Sequence, residues 1–197
     1  MNFLAHFYLA GGSRDLLIGN FIADAVKGSR YNDYPDGIRM GILMHRHIDH
    51  YTDTHAVVRE SKHRLWTEFR HFAPVIVDVF YDHILAANWE KYSPHVLGEF
   101  ASNVYNVLEE AEAQLPDKPR YMLPFMKNHD WLSSYANVEG IRQVLTGMSR
   151  RTSHVSGMEK ASIALEGHYE LYQKEFELFF PQLILSSNEF INNYKGI

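Results

Sequence analysis

Apolar residues recur along this chain at helical spacing almost from end to end, and no sustained alternation of period two sets in. Residues 1–10 are apolar and read as a buried first helix, ended by Gly11-Gly12. Ser13 or Asp15 caps a second helix running to about Lys27, and a polar connector follows from Gly28 to Asp33. Pro35 suits the first turn of a third helix. A fourth covers roughly 56–72, Pro74 opens a fifth over 75–89, and Ser93-Pro94 starts a long sixth that ends near Leu115-Pro116. Pro119 and Pro124 predict an irregular stretch next. Further helices are predicted over 131–135, 138–150 and 155–180, with Pro181 breaking the last and a short C-terminal helix after it. There is no Asn-Gly hairpin signal and no internal repeat. The pattern predicts an all-α fold, a compact helical bundle in which residues 1–197 form a single domain.

Composition narrows the chemistry. Hydrophobic residues make up 46% and aromatic residues 14% of 197, enough for a full core rich in rings and against disorder. Cysteine is absent, which removes disulfides, thiolate metal sites and a Cys nucleophile. Any metal must then be held by His, Asp, Glu or water, a donor set suited to Mn, Mg, Fe or Zn. A formal net charge of −5 argues against general nucleic-acid binding. The apolar opening is too short to span a bilayer, contains His6 and lacks a basic lead-in, so neither a membrane protein nor an exported one is expected. A cytoplasmic protein is the expectation.

Three clusters carry chemical potential. The run His45-Arg46-His47-Ile48-Asp49-His50-Tyr51-Thr52-Asp53 packs three histidines, two aspartates and an arginine into nine residues. On a helix His45, Asp49, Thr52 and Asp53 fall on one side, and an imidazole and a carboxylate at i, i+4 can share one metal ion or one phosphate. An exposed polar face is the plain alternative. The second cluster, Val75–Leu85, is apolar around most of its circumference yet holds Asp78, Asp82 and His83. A bare buried carboxylate is costly, and a nearby cation resolves the cost; the plain alternative pairs each Asp with an Arg, or Asp78 with a helix N-terminus. The third is Gly19-Asn20-Phe21-Ile22-Ala23-Asp24 with His6 upstream. Taken singly, Asp24 reads as a structural acceptor and His6 as a satisfied core histidine. Taken together, four helices presenting inward His or Asp match the way metal sites are built in all-α proteins.

The remaining candidates have simpler explanations. His63, His71, His95 and His129 lie in polar or terminal contexts that suit the surface. Gly147-Met148-Ser149-Arg150-Arg151 ends a helix with two arginines, favourable at a C-terminus and also able to grip a phosphate or an acidic partner. The chain contains no GxxxxGK[ST], GxGxxG or GxSxG motif.

Several of these segments, in this order, resemble the bacterial acyl carrier protein phosphodiesterases: Met1-Asn2-Phe3-Leu4-Ala5-His6, Gly19-Asn20-Phe21-Ile22-Ala23-Asp24 followed by Gly28, and Met44-His45-Arg46-His47-Ile48-Asp49 with Thr52-Asp53. Ala73-Pro74, Asp78, Tyr81-Asp82-His83, Gly147-Met148-Ser149-Arg150 and His168-Tyr169 extend the likeness, which is strongest over residues 1–90. The resemblance implies an all-α hydrolase, distantly similar to the HD-domain phosphohydrolases. It would remove the phosphopantetheine arm from holo acyl carrier protein with a divalent metal, Mn first and Mg, Fe or Zn otherwise. Phosphodiester hydrolysis needs a nucleophilic water, charge neutralisation and a proton for the leaving oxygen, and a His/Asp-bound ion supplies the first two. Asp24, His45, Asp78 and Asp82 are then the expected ligands, with His6, Asp49 and His83 as alternates or orienters. Arg46 is the expected contact for phosphate oxygens, and His83 or His6 the proton donor to the departing serine oxygen. Arg150 and Arg151 would meet the acidic carrier protein. A phosphohydrolase acting on a nucleotide or other small phosphoester, and a non-catalytic carrier-protein binder, are the competing expectations. Oligomeric state has no signature in the sequence.

Overall fold

The computed structural model describes residues 1–152 and 155–194 and is helical through most of its length, with no strand among the described residues. Eleven α-helices follow one another among these residues: α1 (Phe3–Leu9), α2 (Arg14–Ile22), α3 (Asp36–Thr54), α4 (Ala56–Phe69), α5 (Ala73–Ala87), α6 (Leu97–Glu110), α7 (Asp117–Asn128), α8 (Trp131–Ser134), α9 (Val138–Ser149), α10 (Ala161–Gly167) and α11 (Tyr169–Asn193). Among the described residues no helix is long and apolar enough to cross a membrane.

The first turn of the chain is set locally. Asn2 caps α1, its Oδ1 accepting from Phe3 N at 2.9 Å, and Gly11 and Gly12 take φ of +60° and +79° to reverse the chain into α2. α2 and α3 then meet at backbone distance. A Cβ on Gly19 would lie 2.3 Å from Ile38 O, and one on Gly41 would lie 2.6 Å from Leu16 O. This contact matters for the site: Asp24 follows Gly19 closely in the chain, and His45 stands one turn beyond Gly41.

The apolar α5 runs through the interior, burying Ile76, Val77, Val79, Phe80, Ile84 and Leu85. α1, α4, α9 and α11 pack around it. α11 closes the core with Tyr172, Phe176, Phe179, Phe180 and Leu183, all fully buried. It is tied to α4 and α5 by polar bonds as well: Arg64 grips Glu175 with both terminal nitrogens, and Ser61 Oγ bridges Glu175 to the Tyr81 hydroxyl. Burying these hydroxyls without such partners would destabilise the interior.

The prolines act differently from the sequence expectation. Pro119 lies in the first turn of α7, where its missing N–H has no helical acceptor anyway. Pro124 lies inside α7 and Pro181 inside α11, and neither ends its helix. Both rings are on the solvent side, so the carbonyl each leaves unpaired one turn earlier can be hydrated. The expected helix over 155–180 is instead a 3₁₀ turn (Met158–Lys160) and α10, with a break at His168 before α11 begins. The second helix stops at Ile22, and a 3₁₀ turn, Ala23–Ala25, turns Asp24 away from it.

Candidate metal centre

Where α1, α2 and α3 converge, four polar side chains meet. His6 comes from α1, Asp24 from the turn after α2, and His45 and Asp49 from one face of α3, a helical turn apart. His6 Nε2 lies 3.2 Å from Asp49 Oδ1, and His45 Nε2 lies 3.1 Å from Asp49 Oδ2 and 3.4 Å from Asp24 Oδ1. The two imidazoles stack, with ring centroids 4.0 Å apart. One donor atom each from His6, His45 and Asp49 falls within a 4.8 Å span.

Asn20 sets the orientation of His6. Its Nδ2 donates to Leu16 O at 2.9 Å, so its Oδ1 faces His6 Nδ1 at 3.2 Å. An amide oxygen only accepts, which places the imidazole proton on Nδ1 and a lone pair on Nε2. That Nε2 is buried and has no hydrogen-bond partner among the described residues, and it points at a carboxylate that is also an acceptor. Two acceptors held at contact distance repel each other unless a cation or proton sits with them. A divalent ion would satisfy His6, His45 and Asp49 together, so the residues present fit such a group.

Without an ion, the two imidazoles divide the charge unequally. Burial and the neighbouring His45 hold His6 down at about 4. Burial also opposes charge on His45, but the carboxylates of Asp24 and Asp49 outweigh it and raise His45 to about 9. Burial would raise Asp49, yet the two imidazoles hold it far below the usual carboxylate range. Asp24 is lowered by its contact with His45.

The other expected residues are placed elsewhere. Asp78 lies 3.1 Å from the Met1 amine, which is itself 4.0 Å from Asp49, so Asp78 borders the cluster through that amine. Asp82 is fully buried and turned to α1: Oδ2 accepts from Leu4 N at 2.7 Å and Oδ1 from Asn2 N at 3.2 Å. It serves the free amides at that helix start, a compensation expected for Asp78 and found at Asp82 instead. Burial raises its carboxyl to about 7, against the pull of the Met1 amine and the two amides. His83 is outside the cluster, its Nδ1 2.7 Å from the Tyr135 carbonyl and its ring edge-on to Tyr169. Arg46 points to the loop after Asp24, donating to Val26 O and Gly28 O. Arg150 and Arg151 are both exposed at the end of α9.

Within the His/Asp run, Asp53 pairs with Lys62 at 2.7 Å, and Thr52 is buried and bonds back to Ile48 O. The chain's His-Asp dipeptide, His129-Asp130, is a capping device: Asp130 takes φ of +40°, and its Oδ1 accepts from Ser133 N at the start of α8. Asn20 is the participant that residue-level reading missed as an orienter. Its signal was an amide side chain amid apolar neighbours on a buried helix.

Fold and site together define an all-α protein with a His/Asp centre assembled between its first helices. The chain belongs to the acyl carrier protein phosphodiesterase family: that family's pattern matches residues 1–183. Curated relatives carrying the same name include one from Photorhabdus laumondii, 34% identical over 185 residues, covering 93% of each chain. One from Yersinia pestis is 32% identical over 185 residues, 93% of this chain and 96% of its own. One from Escherichia coli is 33% identical over 192 residues, 95% of this chain and 98% of its own. No solved structure matches significantly.

Proposed function

We propose that this protein is a hydrolase that cleaves the phosphodiester between 4'-phosphopantetheine and holo acyl carrier protein, releasing the apo protein and free 4'-phosphopantetheine. The observation that carries the reading is the family match along residues 1–183, which the inward His/Asp centre supports chemically. His6, His45 and Asp49 would hold a divalent ion, with Asp24 completing the set from the mouth of the site. Two imidazoles with carboxylates suit Mn, Fe or Zn better than Mg, and Mn is the first choice. When bound, the ion supplies charge neutralisation at the phosphoryl oxygens and an activated water.

The chain's own residues do the rest. Asn20 keeps the His6 lone pair on Nε2. The buried side of the cluster excludes water from the imidazoles, whereas the Asp24 side chain is 78% exposed and would be the edge of the centre open to a protein substrate. Arg150 and Arg151 offer positive charge to an acidic carrier protein, which a chain of net charge −5 must concentrate locally.

The test is incubation of Mn²⁺-loaded protein with holo acyl carrier protein, followed by intact mass measurement. Loss of the phosphopantetheine mass that stops with chelator is the expected result. Unchanged carrier protein, with the enzyme folded and metal-loaded, would refute the substrate assignment.

A further inference from the structure

We propose that Arg46 is a positioning residue whose guanidinium straps the 26–31 segment to α3 and thereby fixes Asp24 opposite His45. The proposal rests on the reading of the His/Asp centre given above, and it moves Arg46 from phosphate contact to scaffold. Arg46 directly follows His45 on α3. Its Nη1 donates to Gly28 O at 2.9 Å, its Nη2 donates to Val26 O at 2.7 Å, and its Cζ lies 5.1 Å from the centroid of the Tyr31 ring. Two carbonyls and a ring face occupy the planar fork at once, a combination that a lysine ammonium cannot reproduce.

Packing holds the chain on either side of Asp24, where Ala23 and Val26 are buried, but Asp24 itself is exposed, and the strap acts on the segment that follows it. The 3₁₀ turn around Asp24 is three residues long, with Val26 N donating to Ala23 O at 3.0 Å. Such a turn is weak by itself. The Asp24 side chain is largely exposed and, among the described residues, its one ion pair is the 3.4 Å contact with His45. Val26, anchored by Arg46, is two positions beyond Asp24. The same helix therefore carries the imidazole and the clamp that brings the carboxylate to it. Gly28, at φ +58°, lets its carbonyl reach the guanidinium while the chain turns away.

The experiment compares wild type with Arg46→Met, Arg46→Lys and Tyr31→Leu by amide hydrogen exchange, Mn²⁺ calorimetry and steady-state kinetics on holo acyl carrier protein. Arg46→Met should speed exchange over 24–31 while leaving the amides of α5 unchanged. It should weaken Mn²⁺ binding about 10–100-fold, as loss of a supporting partner around a metal does. Its kcat should fall with little change in KM. Arg46→Lys should recover only part of this, and Tyr31→Leu should loosen the same segment more mildly, with Arg46 in place. Unchanged exchange over 24–31 would overturn the strap. Faster exchange with wild-type Mn²⁺ affinity would overturn its link to Asp24. A raised KM with wild-type ion affinity would return Arg46 to phosphate contact. If the wild type takes up no Mn²⁺, the reading of the centre fails separately, and the exchange data still uphold or overturn the strap.

Discussion

The rings of His6 and His45 lie face to face, 4.0 Å between centroids and 17° from parallel, with Asp49 reaching both Nε2 atoms. Two imidazolium ions at that distance repel, so the pair shares its charge unequally. His6 stays neutral, held at about 4, and His45 takes the proton, raised to about 9 against its own burial by Asp24 and Asp49.

Metal uptake should therefore release protons. A ligating imidazole must be neutral, and at pH 7 the metal-free protein carries His45 protonated. Mn²⁺ binding at pH 7 should release about one proton and tighten as pH rises towards 9. Calorimetry in buffers of different ionisation enthalpy measures the count. Zero release would remove His45 from the ligand set.

Without metal, the same shift governs stability. The folded value of His45, about 9, is above its ordinary 6.5, so its contribution is complete below pH 6.5 and is lost as pH rises through about 9. Wild type should lose denaturant resistance across that window, and His45→Gln should lose less. Parallel pH profiles for the two proteins would contradict the pairing with Asp24 and Asp49.

Asn20→Leu should loosen the ion without dismantling the fold. It removes the acceptor that fixes the His6 tautomer, a change expected to cost about 10–100-fold in metal affinity. The buried Nδ1–H left unpaired should also cost about 1–3 kcal/mol of stability. Mn²⁺ titration with a parallel urea melt separates the two effects.

Asp82 and Asp49 should behave oppositely when replaced. Asp82→Ala strips the carboxylate from the first amides of α1 and should cost about 0.5–2 kcal/mol, in the manner of a lost helix cap, with Mn²⁺ binding retained. Asp49→Ala should abolish Mn²⁺ binding. Loss of binding in Asp82→Ala with an unchanged melting temperature would make Asp82 a ligand.

Gly41→Ala tests the crossing that brings Asp24 and His45 together. The added Cβ would meet Leu16 O at 2.6 Å, and because the obstacle is backbone the helices must part. A loss of about 1–3 kcal/mol is expected, with weaker ion binding. An unchanged melting temperature would show that the crossing has slack.

The sequence by itself determined the helical class and the apolar faces of the main helices. Both follow from a 3.6-residue period that repeats locally, so the all-α fold and the His45–Asp49 pairing on one helix were legible. So was the inward placement of His6. The tertiary structure decided which inward groups meet. Asp78 and Asp82 share the i, i+4 spacing of His45 and Asp49, yet one faces the Met1 amine and the other the amides of α1. Spacing along one helix does not say what the neighbouring helix presents. The same reason hid the turn at Asp24 and the clamp from Arg46, because a hydrogen bond to a distant carbonyl leaves no periodic trace. The prolines inside α7 and α11 do not break their helices, because a proline's breaking power is not set by the residue alone. Whether the freed carbonyl faces water or core depends on how the helix is docked, and there both prolines are on the solvent side.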